Sequence, residues 1–189
     1  GVEGLEGYYA ARLKSAAKSP NLIWFAGYAS IVAAEFRRRA GENAAALVAY
    51  DLAIARFDQA LLQNPASQST SDHFAAIAMA GKARVALEQK RYERALTELL
   101  ASFVRKPSAG GSLDGLNQTP MDTAKLLRSQ LLAAGEKAPV ATLDAAIQKL
   151  PEIALELPEY EKRAQADGWR VFRRGKMRFP SWRDRQKRR

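Results

Sequence analysis

The amino-acid sequence predicts an all-α fold, with antiparallel helical hairpins stacked as a short right-handed α-solenoid. Three observations predict it. First, Tyr50, Ala53, Phe57, Ala60 and Pro65 recur as Tyr92, Ala95, Leu99, Ser102 and Pro107, every pair 42 residues apart. A constant offset over five positions marks a repeated supersecondary unit that needs its neighbour to bury its apolar face. Second, Leu47, Tyr50, Ile54, Phe57 and Leu61 step by three and four, which puts them on one helical stripe with Asp51 and Asp58 on another face. Tyr92, Leu96, Leu99 and Phe103 repeat the pattern. Third, an apolar share of 47%, rich in Ala and Leu, suits a globular helical chain and argues against disorder.

Taken in order, the chain supplies seven or eight helices. Gly4 to Ser19 reads as the first, with Leu5, Tyr8, Tyr9, Arg12, Leu13 and Ala16 forming a stripe that covers the open end of the stack. The second runs from about Asn21, a candidate cap, through Trp24, Tyr28, Ile31, Val32 and Phe36 to Arg37, Arg38 and Arg39. Basic residues there favour the carbonyl end of the helix dipole, and Gly41 can take the left-handed conformation that closes it. Asn43 is placed to cap a third helix from Ala44, which Pro65 ends by removing a donor.

Matching Gly41 to Lys90 gives an offset of 49, seven more than the downstream 42. Seven residues are close to two helical turns, so the first copy is an extended hairpin whose apolar face stays in phase. Residues 64–72 are small and polar and read as a surface loop, with Ser71 or Asp72 capping the next helix. In that helix Phe74, Ile77, Gly81 and Val85 face inward. A glycine inside a helix costs about 1 kcal/mol relative to Ala, which points to a packing reason for Gly81. The linker 106–118 carries three glycines. Thr119-Pro120-Met121-Asp122 is a helix start: a cap, Pro at the first position and an acid in the first turn. Leu126, Leu127, Leu131 and then Leu143, Ile147 and Leu150 suggest a third hairpin. Pro151 and Pro158 interrupt the chain beyond it, with a short helix from Pro158 to Ala166.

The second helices of the two copies resemble the tetratricopeptide repeat. That family's second helix carries an aromatic, an Ala three residues on, a large apolar residue four further, a small residue three further and a Pro five beyond. Tyr50-Ala53-Phe57-Ala60-Pro65 and Tyr92-Ala95-Leu99-Ser102-Pro107 take those steps, and Ala83 falls where the family favours Gly or Ala. The first helices match less well, and the 42-residue offset exceeds the usual repeat of about 34. The resemblance covers residues 22–107. It implies a protein-binding scaffold and no catalytic residue. It also implies a groove lined by successive first helices that receives extended peptides, for which Tyr28, Lys82 and Arg84 are candidates. With so short a groove, self-association competes with peptide binding.

Charge divides the chain into a helical domain over 1–167 and a basic aromatic tail over 168–189. The net charge of +10 sits almost wholly in the tail, which holds ten Lys or Arg and one Asp. Within it Trp169, Arg170, Arg173, Arg174, Lys176, Arg178, Trp182 and Arg183 combine cations for phosphates with rings for stacking. A single-stranded nucleic acid or an anionic surface fits that chemistry. Packing of Trp169, Phe172 and Phe179 onto the last hairpin, with solvated arginines, is the competing reading.

Other chemistry has little support. His73, the only histidine, sits in the first turn of a helix where solvation or a local hydrogen bond is the ordinary role. Glu152, Glu156, Glu159 and Glu161 lie in a proline-broken stretch suited to a solvated face rather than convergent metal ligation. Gly110-Gly111 lacks the Lys-Ser/Thr of a phosphate loop. Absence of Cys excludes disulfides and cysteine zinc sites. No enzyme activity, cofactor or metal is expected. The stretch from Ile23 to Phe36 is interrupted by Gly27, Ser30 and Glu35, so no membrane span is expected. The chain opens on Gly1 with no initiator Met, so a processed or trimmed N-terminus is expected, and cytoplasmic and exported locations both remain open.

Overall fold

The computed structural model describes residues 1–111 and 118–150, together with the backbone of 170–174 and 177–181. The chain divides into two compact units, Gly1–Gln148 and Lys149–Arg189. The described residues of the first are all-helical. They form α1 (Val2–Ser15), α2 (Pro20–Arg39), α3 (Asn43–Gln63), α4 (Gln68–Glu88), α5 (Tyr92–Arg105), α6 (Pro120–Ala133) and α7 (Lys137–Gln148). Short 3-10 turns follow α3 (Pro65–Ser67) and α5 (Pro107–Gly111). Each helix packs on its neighbours in sequence, and α4 also touches α2 and α6.

Three of the connections are the same turn. After α2, α4 and α6 the residues Gly41, Lys90 and Gly135 take positive φ, at 80°, 58° and 78°. The N–H of each donates to the carbonyl of Arg38, Leu87 or Leu132, at 2.9, 2.9 and 3.1 Å. The next N–H, of Glu42, Arg91 or Glu136, donates to Arg37, Ala86 or Leu131, each at 2.9 Å. This pair of bonds satisfies carbonyls that a helix end would otherwise orphan, and reverses the chain tightly enough for two helices to pack. Gly41 and Lys90 are thus equivalent, as the sequence match expects. The extended copy is visible too: α3 has 21 residues and α5 has 14.

The repeated residues take equivalent places. Ala53 and Ala95 are wholly buried, as are Phe57 and Leu99. Ser102 stands where Ala60 does and stays buried by donating to the Ala76 carbonyl at 2.7 Å. Tyr50 is fully buried while Tyr92 is half-buried. Both helices then end on an extended residue, Asn64 (φ −141°, ψ 88°) and Lys106 (φ −153°, ψ 89°), before the proline that opens the 3-10 turn.

Glycines set the closest approaches in the core. A Cβ on Gly81 would lie 2.3 Å from the Tyr50 ring, so the packing reason for Gly81 is the tyrosine of the first copy. A Cβ on Gly27 would stand 3.0 Å from Phe57. Helix α4 is buried nearly all round, with twelve buried residues; its run of alanines lets helices approach from several sides.

Several expected boundaries are corrected. Asn43 does not cap α3. The turn before it fixes Glu42 as the cap position, where its carbonyl accepts the Ala46 N–H at 2.9 Å, and Asn43 falls inside the first turn. Residues 64–72 are not a loop, since Pro65 presets a 3-10 turn and α4 starts at Gln68. Neither Ser71 nor Asp72 caps that helix, because both lie inside it. Ser19 rather than Asn21 caps α2, accepting the Leu22 N–H at 3.4 Å ahead of Pro20 at the first position. The α6 start matches expectation: Thr119 Oγ1 accepts the Asp122 N–H at 3.0 Å and Asp122 accepts the Thr119 N–H at 3.1 Å.

The tail contains an element that the sequence pattern did not announce. Strands β1 (Arg170–Arg174) and β2 (Met177–Ser181) pair antiparallel, with Phe172 opposite Phe179 and Arg173 opposite Arg178. The expected helix from Pro158 to Ala166 lies outside the described residues.

Candidate functional site

The seam between α2 and α4 concentrates the chemistry of the helical unit. Three pairs fix its geometry: Trp24 with Phe74, Glu35 with Arg84, and Arg38 with Glu88. The partners' numbers rise together at an offset of 49 or 50, so the two helices run parallel and in step. Each pair links residues at nearly the spacing that makes Gly41 and Lys90 equivalent.

Towards the start of α2 the seam is aromatic. The Trp24 and Phe74 rings meet edge to face at 5.0 Å, Tyr28 meets Phe74 at 5.4 Å, and Phe57 of α3 lies beneath at 5.9 Å from Phe74. Edge-on and offset contacts match the ring quadrupoles and add about 0.5–1.5 kcal/mol per pair beyond area burial. Tyr28 and Trp24 remain half-exposed, so the cluster reaches the surface. Indole Nε1 of Trp24 is buried with no hydrogen-bond partner.

Towards the end of α2 the seam is ionic. Glu35 is 1% exposed, and its carboxylate accepts from Tyr50 at 2.6 Å and from Arg38 Nε at 3.1 Å. Arg39 lies at 3.2 Å and Arg84 at 3.5 Å from it. Burial alone would raise the Glu35 pKa, but hydrogen bonds from Arg38, the Arg84 charge and the Tyr50 hydroxyl lower it to about 2. Burial, reinforced by the Glu35 charge, holds the Tyr50 phenol well above its usual value against the pull of Arg84, so it stays a donor. Arg84 also donates to Thr123 of α6 at 3.4 Å, so one guanidinium spans α2, α4 and α6. In the sequence Glu35 stands out only as an interruption of an apolar stretch. The signal for its role is an acid three and four residues before Arg38 and Arg39.

Two further clusters tie α3, α4 and α5. Lys82 lies between Asp51 and Glu98 at 2.9 and 3.0 Å, and Arg105 between Asp58 and Asp72 at 2.5 and 2.6 Å. These contacts overturn two groove assignments. Lys82 is held towards α3 and α5, and Arg84 is buried, so of the three candidates only Tyr28 stands at the surface of the α2–α4 seam. His73 is half-buried, edge to face with Phe74 at 5.0 Å, and burial together with the Lys106 charge lowers its pKa. It belongs to packing.

Of the eight tail residues, Arg170, Arg173, Arg174 and Arg178 lie on the paired strands. Trp169, Lys176, Trp182 and Arg183 lie outside the described residues, as do Glu152, Glu156, Glu159 and Glu161. Among the described residues no group of three metal-ligating side chains converges, and no helix is long and apolar enough to cross a membrane. Comparison with family models, with curated proteins and with solved structures gives no match to this chain.

Proposed function

We propose that the helical unit is a non-enzymatic protein-binding scaffold of tetratricopeptide type. In this reading the pairs α2–α3, α4–α5 and α6–α7 stack as a short right-handed α-solenoid. The face made by the first helices, α2, α4 and α6, receives an extended segment of another protein. The observation that carries the reading is the turn shared by all three pairs, with the same positive-φ position and the same two hydrogen bonds. Equivalent turns give equivalent hairpins, and hairpins whose first helices run parallel and in step offer a continuous face. The half-exposed aromatics Trp24 and Tyr28 supply an anchoring surface of the kind that dominates interface energies.

The test is quantitative capture from native extract by the full chain, by a deletion of 168–189, and by two surface variants. Captured proteins survive the tail deletion and the substitution Val48→Glu on the exposed outside of α3, and are lost with Tyr28→Glu at unchanged helicity. Loss with Val48→Glu and indifference to Tyr28→Glu would refute the first-helix face. Capture of nothing but further copies of the chain would replace peptide binding by self-association.

A further inference from the structure

We infer that the β1–β2 ribbon binds single-stranded nucleic acid, taking phosphates at its arginine positions and a base at its phenylalanine pair. This goes beyond the scaffold reading and does not depend on it. Strand alternation places residues 170, 172 and 174 on one face of the ribbon, and the register brings 181, 179 and 177 to the same face. That face therefore carries Phe172 and Phe179 as direct partners, with arginine positions 170 and 174 on either side along the strand. Same-face positions recur about every 6.6 Å, close to the reach of one extended nucleotide. The other face carries Arg173 directly opposite Arg178.

Two features of this register favour an anion. Like charges directly opposite each other destabilise a strand pair, and among the described residues the sheet has only these two strands, few enough to be marginal in water. A phosphate between positions 173 and 178 turns that repulsion into attraction. The ten strand residues hold four arginines and no acid, so nothing on the ribbon competes with the ligand. The aromatic pair then selects among polyanions, because stacking needs a base as well as a phosphate. A lipid surface fits less well. Arginine positions on both faces leave no wholly apolar face to enter a bilayer.

The experiment is fluorescence anisotropy of the full chain with a labelled oligothymidine, its abasic equivalent and phosphatidylserine vesicles as competitor. Saturable binding of oligothymidine is expected, about five- to a hundredfold tighter than of the abasic strand, given the roughly 1–3 kcal/mol that stacking contributes per base. The double substitution Phe172→Ile and Phe179→Ile keeps strand propensity but removes the ring faces. It should abolish the preference over the abasic strand and leave the salt dependence unchanged. Arg173→Gln with Arg178→Gln should lower the slope of log affinity against log salt by about 0.7, the value for the one phosphate held between them that is no longer neutralised. Equal binding of the abasic strand, an unchanged preference in the isoleucine variant, displacement by vesicles at matched charge, or no saturable binding at low salt would each overturn the assignment.

Discussion

Glu35 shows how a charge can be kept buried between helices. An isolated carboxylate there would shed its charge, but Arg38, Arg84 and Tyr50 surround this one and lower its pKa to about 2. Against an ordinary value of 4.5, a lowered folded-state pKa means the unfolded chain takes up the proton first as pH falls. The stability it contributes is complete above pH 4.5 and disappears on the way down to about 2. His73 acts earlier in the same direction. Its pKa is lowered from 6.5 by burial and Lys106, so the unfolded chain again protonates first. The melting temperature should therefore fall in two stages on acidification, one starting near pH 6.5 and one below 4.5. Melting curves of His73→Gln should lack the first stage and keep the second. Lys90 offers the opposite kind of test. It occupies at φ 58° a position where its two counterparts are glycines. Lys90→Gly should raise stability by about 0.5–1 kcal/mol by relieving the left-handed strain, despite the greater unfolded-state freedom of glycine. A lower denaturation midpoint would show that the Lys90 side chain contributes more than its backbone costs.

At the scale of elements, the legible part of the fold came from local rules. The 42-residue match located α3 and α5 because both bury the same stripe, and the seven-residue extension was readable because two turns preserve phase. Thr119 and Asp122 were readable because a capping box joins near neighbours in sequence. Local chemistry gives way where tertiary or turn geometry decides. Asn43 has the chemistry of a cap, but the bonds from Gly41 and Glu42 back to α2 set the helix start one residue earlier. Ser71 and Asp72 have it too, yet Ser71 is buried and Asp72 is taken by Arg105. In the tail, Gly175-Lys176 separates two five-residue runs that pair as strands. Gly followed by any residue is a known signal of a two-residue hairpin connection. The aromatic seam was legible only as separate residues, because nothing in α2 alone says that Phe74 will meet Trp24. Overpacking tests the shared core position of these helices. Ala95 is wholly buried, and Ala95→Trp should cost roughly 1–3 kcal/mol or more. An unchanged melting temperature would mean that α5 does not pack where the repeat puts it.

For the whole helical unit, the central question is whether α2, α4 and α6 behave as one face or as three independent contacts. Gly81 and Arg84 lie one turn apart on α4 and bear on it differently. Gly81 admits the Tyr50 ring from α3, so Gly81→Ala should destabilise by roughly 1–3 kcal/mol through a steric clash confined to α3 and α4. Arg84 reaches Glu35 on one side and Thr123 on the other, so its loss acts on both first-helix contacts at once. Arg84→Met keeps much of the stem packing and removes the charge. With Arg38 and Arg39 still beside Glu35, the cost should be about 2 kcal/mol, below the roughly 3–5 kcal/mol of a buried pair broken outright. If the unit is cooperative, hydrogen exchange in Arg84→Met should speed up together in the ends of α2 and α4 and in α6. Faster exchange in α4 alone would mean that the guanidinium is only a local filler. A double-mutant cycle with Thr123→Val separates the two cases further. Coupling of about 0.5 kcal/mol or more is expected if the bond to α6 transmits strain, and additivity if it does not. A face that a partner reads as a unit has to hold its three helices in fixed relation, and that coupling is the physical quantity on which the scaffold reading depends.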